Sequence, residues 1–162
     1  MDRVAIFVDV QNIYYTVRQA YGAQFDYNAF WRRVTAGRQV SGATAFAIDR
    51  NDSKQRAFQN ILRGIGFNVK LKPFISRADG SAKGDWDVGI VLDALDAAPN
   101  VDIVVLASGD GDFDMLVERL RERYKLIVEV YGVPQLTARS LMDAATRFIP
   151  IESELLILRG NS

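Results

Sequence analysis

The chain predicts an α/β fold: one doubly wound domain with a mainly parallel sheet of five or six strands in a three-layer, PIN-like or Rossmann-like arrangement. Two observations carry this. Short, almost wholly apolar runs recur between segments of helical periodicity, and those runs lack the alternation of a sheet with one wet face. Strands of that kind must be covered on both faces, which the intervening helices achieve. The length of 162 residues suits one core, and no Pro/Ser-rich linker or internal repeat divides it, so residues 1–162 are read as a single domain.

Each element has its own signal. RVAIFVD (3–9) is a buried strand that ends on an acid. NIYYTVRQAY (12–21) carries Ile13, Val17 and Ala20 at helical spacing, with one of Tyr14 and Tyr15 expected in the core. FDYNAFWRRVTAG (25–37) reads as a second short helix and GATAFAID (42–49) as a second buried strand. NDSKQRAFQNILRGIG (51–66) is a helix between an Asn/Asp/Ser start and a glycine stop. FNVKLKPF (67–74) is a strand that ends at Pro73, and ISRADGSA (75–82) a polar loop. KGDWDVGIVLDALDAA (83–98) is a helix whose Val88, Val91, Leu92 and Leu95 share one face. DIVVLAS (102–108) is a strand, DFDMLVERLRERY (112–124) a helix, and KLIVEVYG (125–132) a strand. PQLTARSLMDAAT (134–146) is a helix with Pro134 at its start, and RFIPIESELLIL (147–158) has no clear type. That last apolar run fits either a strand completing the sheet or an edge used for a homodimer contact.

Composition narrows the chemistry. There is no cysteine and no histidine, which removes thiolate and imidazole zinc sites, cysteine nucleophiles and Ser-His-Asp triads. Reactive groups must come from carboxylates, Lys/Arg, Tyr, Ser/Thr or Asn, a set that suits the hard ions Mg²⁺ and Mn²⁺. Net charge is zero, so no overall basic field marks a nucleic-acid binder. No apolar stretch approaches the roughly 20 residues of a membrane span, and the first apolar run leads straight into the fold without a signal-peptide layout. A cytoplasmic protein with no membrane partner is the expectation.

Acids collect where ligands bind in such sheets, outside the carboxyl ends of the strands. Asp9 ends the first strand, Ser108-Gly109-Asp110 ends the fourth, and Asp112 opens the next helix. Asp49 ends the second strand with nothing beside it to fix a role. On the helix after Lys83, a projection centred on Val88, Val91 and Leu95 sets Asp85 and Asp87 on its two shoulders. Each acid alone could be a helix cap. Together, Asp9, Asp87, Asp110 and Asp112 would repel one another unless a cation neutralises them, which points to a metal-binding edge.

The segments FVDVQN, KGDWDVGIVLDAL, VVLASGDGDFDMLV and SLMDAATRFI resemble NYN domains of the LabA-like group, within the PIN-like nuclease superfamily, in the right order over almost the whole chain. The resemblance implies a divalent-metal-dependent ribonuclease acting on RNA, single-stranded by preference. It places Asp9 and Asn12 at the D-x-x-N positions and Asp110 and Asp112 at the S-G-D-x-D-F positions. The family's K-G-x-D element is irregular here, because KGDWDV carries acids at its third and fifth places. Asp87 is favoured since it precedes Val88, and Asp85 stays as the alternative. On this reading Asp9, Asp87 and Asp110 are the primary ligands of Mg²⁺ or Mn²⁺, and Asp112 holds a second ion or orients water. Asn12, Lys83, Ser108 and Trp86 are the candidate substrate contacts, Trp86 either stacking on a base or packing under a neighbouring loop or subunit. Lys70, Lys72 and Arg77 would track phosphates, and Gly109 and Gly111 would permit a tight turn. Asp114 falls outside the shared set, as a surface acid near a helix start. The competing function is a regulatory module that binds RNA or protein through the same edge without turnover.

Overall fold

The computed structural model describes residues 1–73, 75–76, 82–83 and 85–158, with the side chains of the two short pieces left aside. The elements follow the chain as β1 (Asp2–Asp9), α1 (Val10–Tyr21), β2 (Gln24–Phe25), α2 (Tyr27–Thr35), β3 (Arg38–Asp49), α3 (Ser53–Ile65) and β4 (Asn68–Pro73). After these come β5 (Ile75–Ser76), β6 (Ala82–Lys83), α4 (Asp87–Ala97), β7 (Ile103–Ala107) and α5 (Asp114–Glu122). The chain continues through β8 (Ile127–Gly132), α6 (Arg139–Ala144), β9 (Arg147–Pro150) and β10 (Leu156–Ile157).

Six strands form one sheet in the order β4-β3-β1-β7-β8-β9, every neighbouring pair parallel. The order reverses direction between β1 and β7, the switch point where a crevice opens above the strand ends. β1 shows why both faces are covered: Val4, Ile6 and Val8 enter one core with Ile13, Val17, Phe30 and Leu62 of α1, α2 and α3. Ala5 and Phe7 enter the other, with Ile90 and Ala94 of α4 and Leu116, Val117 and Leu120 of α5.

Four elements depart from the sequence reading. β3 begins at Arg38, four residues early, because its exposed first half is held by backbone pairing to β1 and carries no apolar signal. Part of the expected polar loop pairs instead, Ile75–Ser76 running antiparallel to Ala82–Lys83. The helix expected over 134–146 is split into a 3-10 turn (Pro134–Leu136) and α6, with Thr137 extended between them. The untyped C-terminal run completes the sheet edge as β9 and then returns as β10 against β2, burying Ile151 and Leu155.

The face of α4 also differs. Its buried residues are Ile90 and Ala94, while Val88 and Leu92 are 69% and 56% exposed. Almost every position that is not acidic on this helix is apolar, so the pattern has no unique stripe. Packing chose the face that brings the small Ala94 against the sheet. That rotation puts Asp87, three residues before Ile90, in line with the buried face. No described helix is long and apolar enough to cross a membrane.

Candidate metal centre

The end of β7 turns sharply through Ser108-Gly109-Asp110 into a 3-10 turn at Gly111–Phe113. The Asp112 N–H donates to Asp110 Oδ1 at 2.9 Å, so Asp110 caps the turn as short acids do. Asp110 and Asp112 then meet Asp87 at the start of α4: one carboxylate oxygen from each lies within 4.8 Å of the others. Among the described residues, no lysine or arginine forms an ion pair with any of the three or with Asp9. The donor set is all hard carboxylate oxygen, which fits Mg²⁺ or Mn²⁺.

Asp9 sits behind this trio. Its Oδ1 accepts the Asn12 N–H at 3.4 Å, and its Oδ2 accepts the Ser108 hydroxyl at 3.1 Å. Burial pushes its carboxyl up to about 6, against the pull of those two hydrogen bonds and with a push from Asp110 and Asp85. Asp87 is raised to about 7, first by desolvation and then by the Asp110 charge. A proton shared with the Asp110 carboxyl, and the charges of Asp85 and Asp9, add to this. These are the signs of acids gathered with no paired cation among the described residues.

Of the two acids on the lysine segment, Asp87 joins the cluster. Asp85 Oδ1 instead accepts the Asp87 N–H at 3.3 Å, closing a turn before α4. Asp49 spends its carboxylate on the Asn51 N–H at 2.9 Å. Asp114 stands at the start of α5, outside the trio.

The expected substrate contacts come out differently. Ser108 is fully buried, and its hydroxyl donates to Asp9 and accepts the Asp110 N–H at 3.2 Å, tying two acids together. Asn12 Oδ1 accepts the Gly109 N–H at 2.9 Å, fastening α1 to the acidic loop. Of the two roles open to Trp86, the fold fills the packing one. Its Nε1–H donates to the Ala47 carbonyl at 2.8 Å, its ring lies against Phe46, and Lys72 Nζ covers a face at 4.5 Å. Lys70 and Lys72 are strand residues, not loop residues. Lys70 pairs with Asp93, and Lys72 donates to the Asp85 carbonyl at 3.1 Å. The Lys83 side chain and Arg77 lie outside the described residues.

Tyr14 and Tyr15, one of which was expected in the core, are both about half exposed.

The glycines of the loop act through space, not through backbone freedom, since neither Gly109 nor Gly111 has a positive φ. A Cβ at Gly109 would come 2.8 Å from the Leu136 carbonyl, and one at Gly111 would come 2.8 Å from the Ala138 Cβ. The Ala138 N–H donates to the Gly109 carbonyl at 3.1 Å. Thus the break at Thr137 lets the 134–138 segment press on the acidic turn. The sequence reading missed this support, for which the two small residues were the only trace.

The sequence pattern of the NYN domain matches residues 3–152. The chain is 31% identical over 159 residues to the "Low amplitude and bright protein LabA" of Synechococcus elongatus, covering 92% of this chain and 83% of that one. It is similar in structure to a crystallised Vibrio parahaemolyticus protein of unknown function, with 58% identity, a TM-score of 0.92, and 96% of each chain covered.

Proposed function

The chain belongs to the NYN-domain family, a PIN-like nuclease family, and from that premise we propose that it is a divalent-metal-dependent ribonuclease. Its substrate on this reading is single-stranded RNA in the cytoplasm, and residues 1–162 act as one domain. The observation that carries the reading is the convergence of Asp87, Asp110 and Asp112 within 4.8 Å at the sheet's switch point, with no ion-paired cation on them among the described residues. A bound Mg²⁺ or Mn²⁺ would supply positive charge to the phosphate oxygens and acidify a water at neutral pH.

The protein's own part is to hold the donors and restrict their motion. Asp87 and Asp110 come from separate elements, so packing of α4 against the sheet that contains β7 sets their separation. Asp112 is the exposed member of the trio, and on this reading it is the acid open to an incoming phosphodiester. Asp9 does not reach the trio, but it orders it: its carboxylate holds Ser108, and Ser108 holds the Asp110 backbone. With their carboxyls raised to about 6 and about 7, Asp9 and Asp87 are weaker acids than usual and are able to take up a proton near neutral pH.

The test is cleavage of a generic single-stranded RNA and single-stranded DNA with Mg²⁺ or Mn²⁺, beside the Asp110→Asn protein. Metal-dependent cutting lost in the variant supports the proposal. If neither strand is cut and calorimetry finds no ion bound, the ribonuclease reading falls. RNA binding without turnover supports the regulatory module instead.

A further inference from the structure

We propose that the solvent-facing stripe of α1, built from Tyr14, Tyr15 and Arg18, is the shelf on which unpaired bases of the substrate strand stack. The inference rests on the ribonuclease reading above and names how the strand is held. Two large aromatic rings on a first helix would ordinarily supply core contacts, but here Ile13 before them and Val17 after them do so. Tyr14 and Tyr15 instead remain 51% and 49% exposed. Their rings meet edge to face at 5.3 Å, which leaves each with an open face.

Arg18 completes the surface. Its guanidinium donates to the Tyr14 hydroxyl at 2.9 Å and sits 5.9 Å from that ring's centroid. It has no acidic partner among the described ion pairs, so its charge is available to a phosphate. At 100° per residue, Gln11, Tyr14, Tyr15 and Arg18 fall within one stripe of about 100°. A single exposed tyrosine is ordinary; an aromatic pair beside a free arginine matches what an unpaired strand requires, π-faces for bases and a cation for its backbone.

Position links the shelf to the acids. Asp9 caps α1, and Asn12 of its first turn binds the acidic loop through the Gly109 N–H. Tyr15 lies three residues on from Asn12, one turn along the same helix, a rise of about 4.5 Å. A strand whose phosphate lies at Asp110 and Asp112 therefore has a neighbouring base within reach of Tyr15, with Tyr14 and Arg18 beyond. Stacking of this kind is indifferent to sequence, as a protein with zero net charge and one local arginine would need.

The experiment measures binding of a fluorescent single-stranded oligonucleotide to the full chain carrying Asp110→Asn, which removes cutting. Adding Tyr14→Ala and Tyr15→Ala is expected to weaken binding about tenfold or more, while Tyr15→Phe keeps it. An abasic ribose-phosphate oligomer should bind parent and variant alike. Equal affinity of parent and double variant for the base-bearing strand overturns the shelf; if the native chain cleaves RNA, the ribonuclease reading survives that result. Absence of oligonucleotide binding by the parent, with no cleavage by the native chain, overturns both. A shift from dimer to monomer in the double variant, with RNA affinity unchanged, assigns the surface to a second copy and also overturns the proposal. Because both side chains are exposed, melting temperatures of the variants should stay close to that of the parent.

Discussion

Glu129 and the Asp87–Asp110–Asp112 trio are two solutions to placing acids in one small fold. Glu129 is 4% exposed on β8, and its two oxygens accept the fork of Arg38 at 2.8 and 3.0 Å. Arg147 adds a further bond to the same carboxylate. The chain thus brings two cations to one acid. At the switch point it brings three acids to one place, with Asp9 behind them, and no paired cation among the described residues. The difference teaches that this sequence can balance buried charge where charge only holds the structure together. Among the described residues the strand ends therefore carry negative charge that no paired cation offsets, and a bound Mg²⁺ or Mn²⁺ would offset it.

Substitutions can break that contrast from either side. Glu129→Ala should be the most damaging to stability, about 3 kcal/mol by chemical denaturation, because it leaves the half-buried Arg38 without its carboxylate partner. Asp110→Asn should have little of that effect. It should instead weaken Mn²⁺ binding, followed by calorimetry, and cleavage by about 100-fold or more, since even groups behind a metal's ligands cost that much.

The contrast also has a pH signature. In the metal-free protein the folded carboxyls of Asp87 and Asp9 titrate near 7 and 6, above the ordinary 3.8. The fold therefore binds protons more tightly than the unfolded chain does. Stability is greatest below about pH 4 with respect to these groups, and it declines as pH rises through 6 and 7. After allowance for solvent screening at the partly exposed Asp87, the part of the decline between pH 5 and 8 should be about 2 kcal/mol. Thermal melts across pH 5–8 would show it, and Mn²⁺ should restore stability at the upper end. Asp87→Asn should flatten the curve; a curve equally steep in that variant would remove Asp87 as its source. The smallest effect belongs to Arg147→Ala. Arg147 is 60% exposed and Arg38 keeps its hold on Glu129, so the loss should stay below about 1 kcal/mol.

Much of the site was legible because its members stand at the ends of unmistakable elements. The apolar runs 3–9 and 102–108 identify adjacent parallel strands, and a parallel sheet puts Asp9 and Asp110 at one edge. The acid on the lysine segment was harder. Asp87 was favoured for its place before Val88, yet the projection around Val88 was wrong, since that residue is largely exposed. Trp86, with two roles left open, and Ser108 were harder to read for the opposite reason. Residues able to touch RNA are equally able to bond inward, and only their neighbours, Ala47 and Phe46 for one and Asp9 for the other, decide between the two.

Local pattern by itself determined the α/β class, the sites of the principal strands, the exclusion of thiol and imidazole chemistry, and the acids at the strand ends. Those features depend on residue type and short spacing alone. Tertiary structure decided which face α4 buries, that Asp9 stands behind the trio, and that Thr137 and Ala138 brace the acidic turn. It also decided that both tyrosines of α1 face water. Each of these turns on contacts between residues distant in the chain, where steric fit and hydrogen bonding choose among faces that the sequence leaves equally apolar or equally polar.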